Sequence, residues 1–363
     1  MKHIKRFALF EGEKTLTKKQ IDFLDICTIG RWTINQNTGL VDIDGDFDCI
    51  DSELKNLLGV KFGRVSGSFY CHLNQLTTLE GAPREVEGSF TCTNNKLTTL
   101  NGAPQKVGGG FKCSYNELTT LEGAPQEVEG HFLCYGNKLT SLKGAPRKVG
   151  RDFECYRNGL TTLEGAPQKV GGDFACYDNK LTTLEGSPQE VEGNFRCHDN
   201  KLTSLGGAPQ KVKKDFDCHD NKLTTLEGAP QEVSGDFNCF RNDLTTLEGS
   251  PQKVEKNFMC FDNKLTTLEG APREVGGYFY LDLNEFKWTT GGKLEYMKKN
   301  PKWIPLILPT ISHDSLLDEV SEDPTLLKTI EDFDKVLYNK VLKGLGWDKM
   351  GPDLLRQLKD GIL

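Results

Sequence analysis

The 363-residue chain lacks the features that identify several large classes of protein. No apolar run approaches the ~18 residues of a membrane-spanning helix. The first residues hold only a four-residue apolar run, which is too short for the core of a secretory signal. The net charge is −7, and there is no basic stripe of the kind that nucleic-acid binders need. We therefore expect no membrane partner and no nucleic-acid partner.

Catalytic sequence motifs are also missing. The chain has no Walker loop, no H-E-x-x-H and no G-x-S-x-G, and its six histidines form no nucleophile or metal motif. No C-x-x-C pair is present to hold zinc. Calcium is the alternative that the many carboxylates leave open, although neither an EF-hand nor a G-G-x-G-x-D pattern occurs. The sequence predicts no enzyme, no catalytic residue, no metal site and no cofactor.

A repeat of 21 residues occupies the middle of the chain. Phenylalanine recurs at this interval at positions 69, 90, 111, 132, 153, 174, 195, 216, 237, 258 and 279. Cysteine follows two places after each from Cys71 to Cys260, and asparagine follows in register from Asn74 to Asn284. A fixed period in this range indicates one structural unit stacked on copies of itself.

One unit of the repeat predicts a short strand and a return segment. Phe90 and Cys92 alternate with polar residues, which is typical of a strand with one buried face. Leu97, Leu100 and Val107 supply further apolar side chains, and the G-x-P between them predicts a turn and forbids a regular helix. Because one unit cannot bury its own apolar face, the units must stack as a coil with a parallel sheet on one side.

The cysteine and asparagine columns are predicted to be structural. A free cysteine is among the most buried residue types, so the thiols are expected to fill the core. Unpaired thiols in such number favour a reducing compartment, which predicts a cytoplasmic location. An amide at the bend that leaves the strand can bond to backbone groups of its own and adjacent rungs.

The repeat resembles a known family. F-x-C-x-x-N-x-L-T-x-L is similar to the leucine-rich repeat consensus L-x-L-x-x-N-x-L, and the trailing L-T-x-L…P resembles the short bacterial and phage subtype. The resemblance covers residues 45 to 287. The sequence departs from the pattern where Phe and Cys replace the usual Leu or Val of the strand. Some relatives carry a cysteine-dependent ubiquitin ligase domain after the repeats, but no cysteine follows Cys260 in this chain.

The resemblance implies a fold class and a role. The expected fold is a leucine-rich-repeat solenoid of about 11–12 rungs, with a parallel β-sheet on its concave face and an irregular, extended convex side. It implies a scaffold that binds another molecule through the concave sheet. It also favours a phage or phage-like origin, in which case the protein would act in the host cytoplasm.

The ends of the chain differ from the repeat and predict two further parts. Residues 1–44 are expected to form an N-terminal cap, with a helix from Thr17 to Thr28 and a hairpin around Asn37-Thr38-Gly39. Residues 45–287 form the solenoid. Residues 288–363 are expected to form a helical C-terminal cap or module, with helices at 293–300, 314–321, 324–344 and 352–360.

Two columns of the repeat are candidates for a binding surface. The residue between Phe and Cys is the most varied position, and strand alternation places it on the outer face of the sheet. The residue after Cys is aromatic in seven consecutive rungs. Within both columns the candidate partner-binding residues are Lys112, Leu133, Tyr135, Glu154, Tyr156, Tyr177, Arg196, His198, Asp217, His219, Asn238, Phe240, Met259 and Phe261. The alternatives are a tolerant position for the first column and a ladder that stabilises the sheet for the second.

These patterns favour a protein-recognition function. The central rungs are aromatic and mostly acidic, which suits a protein partner with a basic or mixed surface. The alternative is a structural or assembly protein of a phage-like particle with no specific ligand. The varied column argues against that alternative, because a spacer gains nothing from such diversity.

Overall fold

The computed structural model of the chain describes residues 16–281, 313–322, 324–333 and 335–360. It divides into two compact units at the boundary between Leu281 and Asp282. The first unit contains the repeats, and the second contains helices. The predicted helix at 293–300 lies outside the described residues, as do residues 1–15 of the predicted N-terminal cap.

The phenylalanine of each repeat begins a two-residue strand that pairs in parallel with the next rung. Phenylalanine lies opposite phenylalanine throughout, as in Phe153↔Phe174 and Phe174↔Phe195. We call this the phenylalanine sheet. Its strands are Phe69–Tyr70, Phe90–Thr91, Phe111–Lys112, Phe132–Leu133, Phe153–Glu154, Phe174–Ala175, Phe195–Arg196, Phe216–Asp217, Phe237–Asn238, Phe258–Met259 and Phe279–Tyr280.

The return segment forms a second parallel sheet, which the sequence predicted only as extended chain. We call it the valine sheet. Its strands are Phe62–Val65, Glu85–Val86, Lys106–Val107, Glu127–Val128, Lys148–Val149, Lys169–Val170, Glu190–Val191, Lys211–Val212, Glu232–Val233, Lys253–Val254 and Glu274–Val275. The proline in each turn lacks an N–H, but the residues after it retain theirs. Those groups pair between rungs, as in Gly171 N–H to the Val149 carbonyl at 3.0 Å.

The core consists of columns of identical side chains. The phenylalanine rings from Phe47 to Phe279 stack on their neighbours with centroids 4.9–5.6 Å apart. From Phe69 to Phe258 the rings have no exposed surface, and Cys71 to Cys260 are equally buried. Two leucines and one valine per rung complete the core. The predicted inward orientation of the Phe and Cys columns is confirmed.

The asparagine column joins the rungs through buried and half-buried hydrogen bonds, as predicted. The side-chain amide of Asn179 donates to the carbonyl oxygens of Cys155 at 3.1 Å and Cys176 at 3.0 Å. Its Oδ1 atom accepts from the N–H of Leu160 at 3.1 Å. Because each amide bonds to its own rung and the preceding one, the column satisfies backbone groups that the bend removes from the sheet.

The turn of each rung requires a glycine. Gly186 has φ 87°, in the left-handed region that L side chains rarely adopt. A Cβ atom at this position would lie 2.8 Å from the backbone carbon of Leu163 in the preceding rung. The close approach of successive turns therefore fixes glycine at this position in the repeat.

A helix and a hairpin cover the N-terminal end of the two sheets. Helix α1 (Lys18–Cys27) begins with a capping box between Thr17 and Gln20. Strand β1 (Thr28–Ile34) pairs antiparallel with β2 (Val41–Asp48). Strand β2 then pairs with both sheets in parallel, with the valine sheet near Val41 and with the phenylalanine sheet near Phe47. The exposed edges of both sheets are thereby covered at this end.

The second unit is helical in its described residues. Its helices are α2 (His313–Glu322), α3 (Leu326–Phe333), α4 (Lys335–Gly344) and α5 (Pro352–Lys359), with a short 3₁₀ turn at Trp347–Lys349. The range 324–344, predicted as one helix, corresponds to α3 and α4. In the described part of the chain, no helix has the length and apolar character needed to cross a membrane.

Candidate functional site

The varied column lies on the outer face of the phenylalanine sheet. Nearly all of its side chains are partly exposed, while the Phe and Cys on either side are fully buried. The exceptions are Thr91 and Ala175, which are short and buried beneath longer neighbours. The outer face also carries the residue before each Phe and the two residues after each Cys, so four positions per rung are available to a partner.

The aromatic column forms a continuous stack of seven rings. Successive centroids from Tyr135 to Phe261 lie 4.3–4.5 Å apart, and the ring planes differ by only 7–14°. The stack contains Tyr135, Tyr156, Tyr177, His198, His219, Phe240 and Phe261. Rings at this spacing cover one another's faces, so the column presents ring edges, hydroxyl groups and imidazole nitrogens outward.

Stacking also shields the tyrosine side chains partly from water. Burial raises the pKa of Tyr156 well above its usual range, and the charges of Tyr135, Tyr177 and Glu154 add to the effect. Burial likewise raises the pKa of Tyr177. Both phenols are therefore neutral hydrogen-bonding groups under ordinary conditions, and neither is a nucleophile.

The residue before each Phe serves as a hydrogen-bond acceptor for the next rung. The N–H of Asp173 donates to Oδ1 of Asp152 at 2.8 Å, and the N–H of Asn194 donates to Oδ1 of Asp173 at 2.9 Å. We call this the acceptor column. The sequence predicted these carboxylates only as part of an acidic surface. The structure shows that one oxygen of Asp152, Asp173 and Asp215 is used within the fold, which explains why residues with a side-chain oxygen are frequent at this position.

The second residue after each Cys has a left-handed backbone. Asp178, Asp199 and Asp220 have φ between 50° and 52°. Asp and Asn adopt this conformation more readily than most residues, because their short side chains bond locally. The carboxylates of this column therefore have a conformational reason to be present in addition to any binding role.

Charge divides the outer face into two halves. From Ser68 to Gly136 the four outward positions of each rung hold no carboxylate and a single lysine, Lys112. We call this the neutral half. From Asp152 to Asp262 the same positions form the acidic half, where three arginines stand against ten carboxylates. The carboxylates are Asp152, Glu154, Asp173, Asp178, Asp199, Asp215, Asp217, Asp220, Asp236 and Asp262.

Ion pairs neutralise only part of the acidic half. Arg196 contacts Asp173 at 2.9 Å, and Arg241 lies 3.5 Å from both Asp220 and Asp262. Burial works to raise the pKa of Asp173, but hydrogen bonds from Asn194 and the charge of Arg196 outweigh it and lower the pKa. For Glu154, burial and the charge of Asp152 raise the pKa instead. The acidic half therefore keeps an excess of negative charge.

Two histidines lie at the centre of the acidic half among carboxylates. His219 Nδ1 hydrogen-bonds to Asp217 Oδ1, and His219 Nε2 lies 3.5 Å from Asp220. Burial acts to lower the pKa of His219, but the bond to Asp217 and the neighbouring charges outweigh it and raise the pKa. His198 Nδ1 lies 3.0 Å from Asp199. This cluster was not predicted as a unit, although the 21-residue separation of the histidines places them on adjacent rungs.

The predicted site residues all fall on the outer face, but they do not converge on one point. The acidic half brings together Glu154, Tyr156, Tyr177, Arg196, His198, Asp217, His219, Asn238, Phe240, Met259 and Phe261. Lys112, Leu133 and Tyr135 lie on the neutral half. The arrangement is an extended surface and not a pocket.

The cysteine column offers no reactive thiol. All twelve cysteines are free and buried. Burial raises the pKa of every one of these thiols, to about 11 for Cys27 at the N-terminal end. Because the thiolate is the nucleophile and the metal ligand, these cysteines are inert in the folded protein.

The architecture is defined by three observations: a 21-residue rung, a parallel strand that begins each rung, and an asparagine that bonds adjacent rungs at the bend. The fold is that of a short leucine-rich-repeat solenoid. The predicted fold class is confirmed, whereas the bacterial or phage subtype stays a prediction.

Comparison with known proteins supplies no argument about function. No family model matches the chain, and no curated protein matches it. Among solved structures the solenoid is similar to YopM from Yersinia enterocolitica WA-314, with a TM-score of 0.43 and 17% sequence identity. The match covers 65% of this chain and 65% of that chain, so this chain spans less than two thirds of the length of YopM. A likeness at this level carries no weight for function.

Proposed function

We propose that the protein is a non-enzymatic recognition scaffold whose acidic half binds a partner protein through a basic surface. The observation that carries this proposal is the division of the outer face. Ten carboxylates occupy the outward positions of six adjacent rungs, next to a half that has none. A spacer or shell component has no need for such a boundary, because its rungs need only stack.

The variety of side chains supports the same conclusion. The fold holds the Phe, Cys, Leu and Val columns constant, while the varied column changes in size, charge and polarity from rung to rung. Arg196, Asn238 and Met259 occupy equivalent positions on the same face. A surface that is complementary to a partner needs different side chains at different rungs, whereas the stacking of rungs does not need such differences.

The exposed chemistry of the aromatic column specifies the kind of contact. Ring faces are covered by stacking, so a cation of the partner cannot lie over them, and it must pair with the carboxylates. The tyrosine hydroxyl groups at the edge of the stack can accept and donate hydrogen bonds, whereas the imidazoles of His198 and His219 already contact carboxylates. Arginine meets both requirements, because its planar group binds carboxylates with two parallel hydrogen bonds. We therefore expect an arginine-rich patch on the partner.

A charge-neutralising variant tests the proposal. Glu154→Gln with Asp262→Asn removes two charges from the acidic half and keeps the size and shape of both side chains. Glu185→Gln with Glu227→Gln removes two charges from exposed positions of the return segment and is the matched control. Each protein is used as bait in a lysate, and captured proteins are compared at low and high salt.

We expect the wild type and the control to capture the same protein, with capture weakening as salt rises because the pairs are screened. The acidic-half variant should capture less of it. Equal capture by all three baits, or no specific capture by the wild type, would contradict the proposal and favour the structural or assembly role. Tyr156→Phe with Tyr177→Phe retains both rings but removes the hydroxyls, so it tests whether the edge of the stack contributes.

A further inference from the structure

The histidine cluster of the acidic half has the composition of a metal site. Among the residues that the structure describes, His198, Asp199 and His219 form one group whose nitrogen and carboxylate ligand atoms lie within 4.8 Å of one another. Two imidazoles and one carboxylate, with a water molecule as the fourth ligand, make up a common ligand set of open zinc sites. Exposure of the Asp199 side chain is 57%, so an ion can reach the group from solvent.

A second observation concerns how one of the histidines is held. Asp217 accepts a hydrogen bond from Nδ1 of His219, and Asp217 is itself only 17% exposed. Metal-binding histidines almost always donate their second ring N–H to a carboxylate or a carbonyl, because this fixes the tautomer and makes the other nitrogen a better ligand. The bond leaves Nε2 of His219, which lies 3.5 Å from Asp220 Oδ2, as the coordinating atom. Asp217 thus acts as a positioning residue.

The surrounding charge favours a cation and not an anion. Asp178, Asp215 and Asp220 are further carboxylates of the acidic half on the same or adjacent rungs. The arginines of the neighbouring rungs are engaged by other carboxylates: Arg196 contacts Asp173 at 2.9 Å, and Arg241 lies 3.5 Å from Asp220 and Asp262. Asp199 Oδ2 lies 3.0 Å from His198 Nδ1 and its side chain is exposed, so an ion can approach both groups from solvent.

The stack must open for both histidines to bind one ion. The rings of His198 and His219 lie 4.4 Å apart with planes 11° from parallel, and an ion must lie near the plane of each ring that binds it. Zinc–nitrogen bonds of 2.0–2.1 Å place tetrahedral ligands about 3.3 Å apart. His198 Nδ1 and Asp199 Oδ2 are already 3.0 Å apart, so His219 and this pair must move closer to each other. Rotation of the exposed Asp199 side chain and of one imidazole supplies this movement. Zinc tolerates it, since its filled d shell imposes no geometry.

We propose that His198, Asp199 and His219 bind a divalent transition-metal ion of the zinc class, with Asp217 positioning His219. Hard ions such as Mg²⁺ prefer oxygen ligands and are not expected to compete. The site is independent of the partner-binding proposal, because it needs only residues of this chain. Where both hold, an ion at this position reduces the negative charge at the centre of the acidic half.

Titration of the full-length protein with Co²⁺ tests the site. Visible absorption reports coordination number and ligand type, and calorimetry with Zn²⁺ gives stoichiometry and affinity. His198→Phe and His219→Phe remove a ligand but retain a ring, as Phe240 and Phe261 do in the same column, so the stack and the fold are preserved. His131→Phe is the matched control, because His131 contacts Asp152 at 2.9 Å without a second imidazole nearby.

We expect one equivalent of ion per chain and tetrahedral or five-coordinate cobalt bands without a thiolate band. Each ligand variant should bind at least about 10-fold more weakly, and Asp217→Asn about 10–100-fold more weakly, as loss of an outer carboxylate does elsewhere. His131→Phe should bind as the wild type does. Unchanged affinity in His219→Phe, or no binding at millimolar ion, would overturn the proposal. Because the assay contains no partner protein, its outcome is separate from that of the capture experiment.

Discussion

The substitution Asn179→Asp tests the principle that holds the rungs together. The side-chain amide of Asn179 faces the carbonyl oxygens of Cys155, Cys176 and Tyr177 at 3.0–3.2 Å. Aspartate keeps the shape and the acceptor for the Leu160 N–H but replaces the donor with a second oxygen. The variant thus changes hydrogen bonding without creating a cavity.

The expected loss of stability follows from the groups left behind. In the variant, the Cys155 carbonyl keeps its hydrogen bond from Asn158, and the Cys176 carbonyl keeps its hydrogen bond from Asn200. Each carbonyl therefore loses only one of its side-chain hydrogen bonds. Each hydrogen bond lost costs ~0.5–1.5 kcal/mol, the amide makes three of them, and a carboxylate facing the same carbonyls adds repulsion. We expect the free energy of unfolding to fall by about 2–4 kcal/mol at neutral pH.

The loss of stability in Asn179→Asp is expected to be larger at neutral pH than at acidic pH. Facing carbonyl oxygens, the new carboxyl group has a folded-state pKa above the unfolded value of about 3.9. The protonated carboxyl group can donate one hydrogen bond. The difference in free energy of unfolding between the variant and the wild type is therefore smallest at pH values below the unfolded-state pKa. The difference grows as pH rises through the folded pKa.

Urea unfolding followed by circular dichroism, at acidic and neutral pH, measures these differences. Hydrogen exchange at the Leu160 amide shows whether the effect is local, since long repeat arrays need not unfold in one step. Asn94→Asp makes the same chemical change at an exposed position and is expected to stay within about 0.5 kcal/mol of the wild type. A midpoint for Asn179→Asp equal to that of the wild type, or a deficit that does not change with pH, would refute the reasoning.

Three further predictions follow from the columns. Tyr156→Leu removes two stacking contacts and should lower the free energy of unfolding by about 1–3 kcal/mol by urea titration; an unchanged midpoint would mean that the stack is not stabilising. Asp173 has a lowered pKa, so its contribution is present above the unfolded pKa and lost as pH falls through the folded value. The stability gap between the wild type and Asp173→Asn should therefore narrow in acid, and a constant gap would contradict this. All twelve thiols should resist Ellman's reagent in the folded protein and react in guanidinium, whereas fast reaction without denaturant would show that the column is accessible.

The main fold can be predicted from the sequence because the same pattern of buried and exposed positions recurs in every repeat. Phe90 and Cys92 alone would indicate a weak strand of two residues. Eleven copies in register indicate a stacked parallel sheet, because stacking buries the apolar face of every copy. The asparagine column could be interpreted for the same reason. The valine sheet was missed because a Glu-Val or Lys-Val pair carries no strand signal of its own. Only pairing between rungs makes it a strand.

The candidate site is harder to predict, because one position can satisfy several demands. Asp173 and Asp215 looked like surface charges, yet each accepts a hydrogen bond from the backbone of the next rung. Asp199 lies in a left-handed conformation that favours Asp before any ligand is considered. The sequence placed His198 and His219 in one column, but their contacts with Asp199 and Asp217 depend on side-chain torsions that no periodicity reveals.

The alternation of glutamate and lysine along the valine sheet is the pattern that growth by pairs of repeats would produce. Each rung touches only its two neighbours, so a gene exchange that inserts or removes whole repeats leaves a stack that still closes. Gain or loss of two repeats keeps opposite charges adjacent, whereas a change of one sets like charges side by side. Lys148 lies directly opposite Lys169, which is where the alternation slips. Insertion or deletion of one repeat at that junction would produce this pair of like charges. The junction lies beside Asp152, where the acidic half begins.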